Sequence, residues 1–378
     1  MLAATARTLL GMTLGLLICS CGGGGGGGSS DTTTPPPPPA AGASLLFITN
    51  GTVGSIDVMT VNNTSGVPTP VSGSPFADGP SPRASAVDPQ KRYLYVASST
   101  GEVRGYQIAS STGSLSAMSG SPFVTGADSV AIAVDPSGQF VLTANGSSNT
   151  VSVFKMGSSG SLAEVSGSPF AAGSNPDAIV VAPGNYVYAG NAGDGTISAY
   201  SMNMTTGALT AVAGAPFPAG GKPLSLVVDP AGTHLYAADA SPNAVAGFSI
   251  ASGTGALTAV SGSPFPEQNG AALSIVLDHA GILLHVANGT NVDCYQVDGT
   301  SGTLTWLGGS QSNGKAMALA ADDPDYFVYA LDNVDNQLEV FSINPTVFNL
   351  TLIPGNPYPL FQGAGGQSLG PTSITFAR

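Results

Sequence analysis

Histidine and cysteine are scarce in this chain, three residues of each, and that scarcity removes whole classes of chemistry. Cys19 and Cys21 lie near the N-terminus, which leaves Cys294 without a partner. One cysteine cannot build a disulfide framework, a thiolate metal cluster or a redox dithiol. A histidine metal centre or a serine–histidine–acid triad would have to draw on His234, His279 and His285 alone. Basic residues are few as well. Nine Lys and Arg stand against 22 Asp and Glu, so the net charge is −13 and the pI about 4.2. Phosphate-backbone binding needs a basic footprint, so a nucleic-acid partner is not expected. Only 8% of the residues are charged, while 52 Gly and 29 Pro accompany 42% hydrophobic residues. Abundant turn formers among abundant apolar residues predict many short strands joined by tight turns.

Long apolar runs are absent apart from Thr8–Ile18, which follows the single charge of Arg7. That run is too short for a permanent membrane span and reads as the core of an export signal. It ends in Ile18-Cys19-Ser20-Cys21, which resembles the bacterial lipobox, with Cys21 as the lipidated residue. The resemblance implies an exported protein anchored in the bacterial envelope. Glycine after the cysteine is compatible with the outer membrane, the domain lying in the periplasm or at the cell surface. Residues 1–20 are thus read as a signal peptide and 21–43 as a lipidated cysteine with its tether. The tether is a run of glycines followed by Pro35–Pro39, which cannot bury a core. Contact with the membrane is expected through the anchor only.

From residue 44 to 378 the chain repeats. Ser74-Pro75-Phe76, Ser121-Pro122-Phe123, Ser168-Pro169-Phe170, Ala215-Pro216-Phe217 and Ser263-Pro264-Phe265 place their phenylalanines 47, 47, 47 and 48 residues apart. The marker has decayed near Gly308–Gln311 and returns as Asn356-Pro357-Tyr358. Each repeat holds four strand-like pieces; in one unit these are Ser129–Val134, Phe140–Ala144, Thr150–Met156 and Leu162–Val165. The first two are joined by Asp135-Pro136-Ser137-Gly138, a tight-turn signature. Units of this period built from four strands predict a β-propeller. First strands begin near Ala84, Ser129, Asp177, Ser225, Ser274, Ala316 and Thr372, which gives seven blades. The last of these has no second strand after it, and the domain opens at Leu45–Thr49 with a second strand that has no first. The C-terminal strand is therefore expected to complete the N-terminal blade and close an all-β ring, which removes free sheet edges.

The segments Leu46-Phe47-Ile48-Thr49-Asn50, Tyr95-Val96-Ala97-Ser98, Leu142-Thr143-Ala144-Asn145 and His285-Val286-Ala287-Asn288 resemble the YVTN-type repeat. The domain is similar to the lactonase family of seven-bladed propellers, which includes 6-phosphogluconolactonase-like proteins. The resemblance implies the propeller fold and hydrolysis of sugar-acid lactones, with Arg, His and acidic side chains on one face of the ring.

The repeat also shows which residues serve packing. His234 shares a column with Tyr93, Phe140 and Phe327, and His285 with Tyr95, Leu142 and Tyr329. His279 takes the turn place of Pro89 and Pro136, and Cys294 a small core position. None of these is expected to be chemical. Second strands end in Asn50, Ser98, Asn145, Asn191, Asp239, Asn288 and Asp332, a polar column that would nucleate the following turns. The alternative is that Asp239, Asp332 and neighbouring Asp335 bind a cation or a hydroxylated ligand. Around the starts of the innermost strands lie Arg83, Asp128, Asp177, Lys222 and Lys315. These would rim the channel mouth, the cations receiving an anionic group and an aspartate serving as base.

With the histidines assigned to packing, the primary reading is a monomeric binding or scaffold module for an envelope protein or glycan. The alternative is a lactonase, the partner then being a small lactone. Neither reading calls for a metal or a cofactor.

Overall fold

The computed structural model describes residues 44–312, 314–322, 326–344, 347–360 and 369–377. The expected export signal, the expected lipidation site Cys21 and the expected tether lie outside the described residues. So do residues 361–368, on the approach to the last strand. The described part forms seven antiparallel sheets. Blade one opens with Pro82–Val87, and blades two to six with Ser129–Val134, Pro176–Ala182, Pro223–Val228, Ser274–Leu277 and Ala316–Ala321. Each first strand pairs with the second, and so on outward, as hairpin connections require. The unit read as four strands from sequence occupies Ser129–Val134, Phe140–Asn145, Thr150–Met156 and Leu162–Glu164.

Blade seven is made from both ends of the domain. Pro371–Phe376 runs antiparallel to Ser44–Asn50, with Phe376 opposite Leu46 and Ile374 opposite Ile48. The Ala377 N–H donates to the Leu45 carbonyl at 2.9 Å. Hydroxyls lock the seam on its inner side. Thr49 meets Thr372 and Ser373 at 2.8 Å, and Ser85 of blade one meets Thr375 at 2.8 Å. One apolar cluster lies between each neighbouring pair of blades, including between blades six and seven and between seven and one. The ring is closed, as the two half-blades in the sequence predict.

Two sequence signals acquire physical causes. The buried Asp135 of the Asp-Pro turn accepts the N–H groups of Gln139 and Phe140 at 2.7 and 2.6 Å. Asp278 and Asp322 accept in the same way at their own turns, so these carboxylates fix where each second strand begins. In the Ser-Pro-Phe marker, Ser74, Ser121, Ser168 and Ser263 each accept a third-strand N–H through the hydroxyl, at 2.8–3.1 Å. Asn356 accepts from Val340 in place of a serine. The outer strand of these blades, and of blade three with Ala215 at that place, is broken in two, its second piece starting at the aromatic residue. Blade five, where the marker has decayed, has one continuous outer strand, Leu304–Gln311. The phenylalanines are half-buried beside the inter-blade clusters, which agrees with a packing role.

The polar column at the second-strand ends behaves in two ways. Asp332 accepts the N–H groups of Val334 and Asp335, and Asn288 those of Thr290 and Asn291, as turn nucleation predicts. Asn145 and Asn191 instead donate sideways, to Thr150 with Ser152 and to Thr196 with Ser198. They tie the second strand to the start of the third.

Candidate active site

The innermost strands surround a channel of ≈ 320 Å³. What faces its mouth is set by a repeated irregularity. In blades one, two, three, four, six and seven the first strand carries a β-bulge, so one residue is left out of the pairing. Those residues are Arg83, Val130, Asp177, Leu224, Met317 and Thr372, and in blade five Leu273 stands just ahead of the paired stretch. A bulge re-aims a side chain at the rim of a closed sheet, and all seven line the channel. Further along these strands the lining continues with small residues such as Ala131, Ala178 and Ala318, then with Ile179, Leu226 and Leu319.

Most hydroxyls along this wall already serve the protein. Ser225 accepts the Ile275 N–H and Ser274 the Leu319 N–H. Thr372 donates to the Pro82 carbonyl, and Ser373 meets Thr49. Three polar side chains at the mouth have no hydrogen-bond partner among the described residues: Arg83, Asp177 and Asn333. Burial raises the Asp177 carboxyl above its ordinary value; Arg83 opposes the rise and Asp128 adds to it. Arg83 therefore acts on Asp177 through space across the mouth rather than through an ion pair.

The other sequence candidates are placed differently. Asp128 precedes the blade-two strand in a left-handed backbone conformation, φ 60°, and its carboxylate accepts the Ser147 hydroxyl at 3.2 Å. Lys222 and Lys315 are exposed on the approaches to their strands and are not among the channel-lining residues. Asp239 and Asp332 do not ring the mouth. They are buried inside blades four and six, 0% and 1% exposed, because the second strand lies between two others. Asp335 is exposed. Among the described residues no three His, Cys, Asp or Glu side chains converge as metal ligands. His234 hydrogen-bonds Asp229 through Nδ1 at 3.0 Å, and His285 is fully buried, its pKa pushed down to about 4 by burial. Burial likewise pushes the Cys294 thiol up to about 12, so it is no nucleophile at neutral pH.

Two features escaped the sequence reading. Asn333 follows Asp332 where the other blades have Gly51, Ser99, Gly146, Ala192, Ala240 and Gly289. A lone amide in a column of small residues is a signal the repeat contains. The second is an acidic pair between blades four and five. Tyr295 donates to Glu267 at 2.7 Å, while Asn269 and Asn288 donate to Asp293 at 3.0 Å. The two carboxyls act on each other, and burial raises both, Glu267 most clearly. At the same two places between blades seven and one stand Asp78 and Arg104, a salt bridge at 3.1 Å.

Bulge-mounted polar groups over the channel of a closed ring define the class: a seven-bladed β-propeller with a candidate site on its axis. The matching family model is the lactonase, 7-bladed beta-propeller, over residues 46–358. The chain belongs to this family. Among solved structures it is similar to a Bacteroides uniformis protein assigned by name to the 6-phosphogluconolactonases. That match has a TM-score of 0.76 and 21% identity, covering 88% of this chain and 99% of that one. It is also similar to the periplasmic gluconolactonase of Pseudomonas aeruginosa, with a TM-score of 0.74, 20% identity and coverage of 88% and 98%. At these identities the likeness speaks for the fold alone. Comparison with curated proteins gives no match.

Proposed function

We propose that the protein is a lactone hydrolase with its active centre at the channel mouth. The observation that carries this is the set of uncommitted polar groups at that place, Arg83 and Asp177 on the bulges of innermost strands and Asn333 in the turn after Phe327–Asp332. Membership of the lactonase family supports it, as do the lactonase names of its structural neighbours. Scarcity of histidine favours a scaffold, but ester hydrolysis has no need of histidine when a carboxylate of raised basicity faces the site.

Each group has a task. The Arg83 guanidinium and the Asn333 amide donate to the lactone carbonyl oxygen and stabilise the charge it gains as water attacks. Asp177 accepts the proton of that water, and its raised pKa makes it a stronger base than an ordinary carboxylate. The tetrahedral intermediate collapses with cleavage of the ring C–O bond. Asp177 returns its proton to the departing alkoxide, so one lactone and one water give one hydroxy acid. Arg83 then faces the product carboxylate.

The test is acid release by the full chain from a panel of lactones, followed by pH-stat titration. Asp177→Asn is expected to lower kcat by about 10²–10⁴, and Arg83→Ala by about 10²–10³. Wild-type rates in folded Asp177→Asn protein would remove the active centre from this place.

A further inference from the structure

Resting on the hydrolase reading, we infer that the preferred substrate is a lactone bearing an alkyl chain rather than a polyhydroxylated or phosphorylated sugar lactone. Of the seven mouth positions set by the strand starts, Val130, Leu224, Leu273 and Met317 are apolar and partly exposed to the channel. Leu224, Leu273 and Met317 stand on three consecutive blades and form an unbroken apolar arc. Arg83 of blade one stands across the ring from that arc, Asp177 of blade three borders it next to Leu224, and Asn333 is at the rim beside Met317.

Reaction at the ester group engages all three free polar side chains. None remains for ring hydroxyls, whose burial without partners disfavours binding. Of the nearby hydroxyls, those of Thr372 and Ser373 are committed to Pro82 and Thr49, while those of Ser225 and Ser274 accept the Ile275 and Leu319 N–H groups and keep one donor each, too few for a polyhydroxylated ring. A sugar phosphate fares worse, since its dianion would meet one guanidinium opposed by Asp177 and Asp128. An alkyl chain, by contrast, can lie along the arc and continue down toward Leu226 and Leu319. The volume of ≈ 320 Å³ lies at the small end of ligand sites and suits a short chain.

The experiment compares γ-butyrolactone, γ-nonalactone and glucono-δ-lactone as substrates of the full chain. Each buried methylene gives about tenfold or more in discrimination. kcat/KM for γ-nonalactone is therefore expected to exceed that for each of the other two by at least about tenfold. Leu273→Asn should lower kcat/KM for γ-nonalactone about tenfold, mainly through KM, and so shrink the preference for γ-nonalactone over glucono-δ-lactone by about the same factor. If circular dichroism shows that variant misfolded, Met317→Gln makes the same comparison on the neighbouring blade. Preferential turnover of glucono-δ-lactone, or a preference unmoved by these substitutions, overturns the alkyl assignment and leaves the hydrolase standing. No turnover of any of the three by wild type overturns both.

Discussion

Asp239 is the least accommodated charge among the described residues, and its removal should reverse sign with pH. Both carboxyl oxygens are buried without a hydrogen-bond donor, and burial alone pushes the pKa up to about 7. The equivalent Asn145 donates its amide to Thr150 and Ser152, but blade four has Ala244 and Ala246 at those places. An acid whose folded pKa lies above its unfolded one keeps a proton that the unfolded chain has released. Stability therefore falls as pH rises from about 4 to about 7 and is flat above that. Three pKa units correspond to about 4 kcal/mol of destabilisation at pH 8. Asp239→Asn removes that term but leaves two amide donors facing alanines, a penalty of about 1–3 kcal/mol at any pH. The single variant should thus be about 1–3 kcal/mol more stable than wild type at pH 8 and about as much less stable at pH 4. Adding Ala244→Thr and Ala246→Ser supplies the acceptors found in blade two. That triple variant should gain about 4 kcal/mol at pH 8 and little at pH 4. For a domain this large, each kcal/mol shifts Tm by about 1–2 °C. Calorimetry at the two pH values, at matched ionic strength, reads the difference directly. Equal shifts in Tm at pH 4 and pH 8 would refute the account of Asp239 as a buried, proton-holding acid.

Glu267 carries the same sign of dependence, since burial raises it and the facing Asp293 adds to the rise, to about 7. Glu267→Gln, which keeps a partner for Tyr295 and can donate to Asp293, should stabilise by about 3 kcal/mol at pH 8 and not at all below pH 4; chemical denaturation at the two pH values checks it. Deleting residues 371–378 would unpair Leu46–Thr49 and strip Ile374 and Phe376 from the cluster between blades six and seven. A loss of at least about 5 kcal/mol is expected, as one cooperative fall in Tm rather than fraying of a single blade; an unchanged Tm would mean the seam contributes nothing.

Much of this architecture is legible in the chain because a propeller writes each blade out in full. The spacing of Phe76, Phe123, Phe170 and Phe217 predicts the repeat, and the unmatched strand halves at residues 45–49 and 372–378 predict closure. The columns also assign His234, His285 and Cys294 to packing positions, and all three are buried. The mouth was read less completely. Arg83 and Asp177 reach the channel, whereas Asp239 and Asp332, equally polar in sequence, point into the blade.

By itself the amino-acid order determined the number of blades, the strand pairing and the joining of the two ends, because these depend on local periodicity and turn chemistry repeated every 47 residues or so. Only the tertiary structure decided which residue of each innermost strand faces the axis. That choice depends on a one-residue bulge, and a shift of one residue turns a side chain from one face of a strand to the other. It also decided which charges meet, since Arg83 and Asp177 stand on different blades and are brought together only when the ring closes.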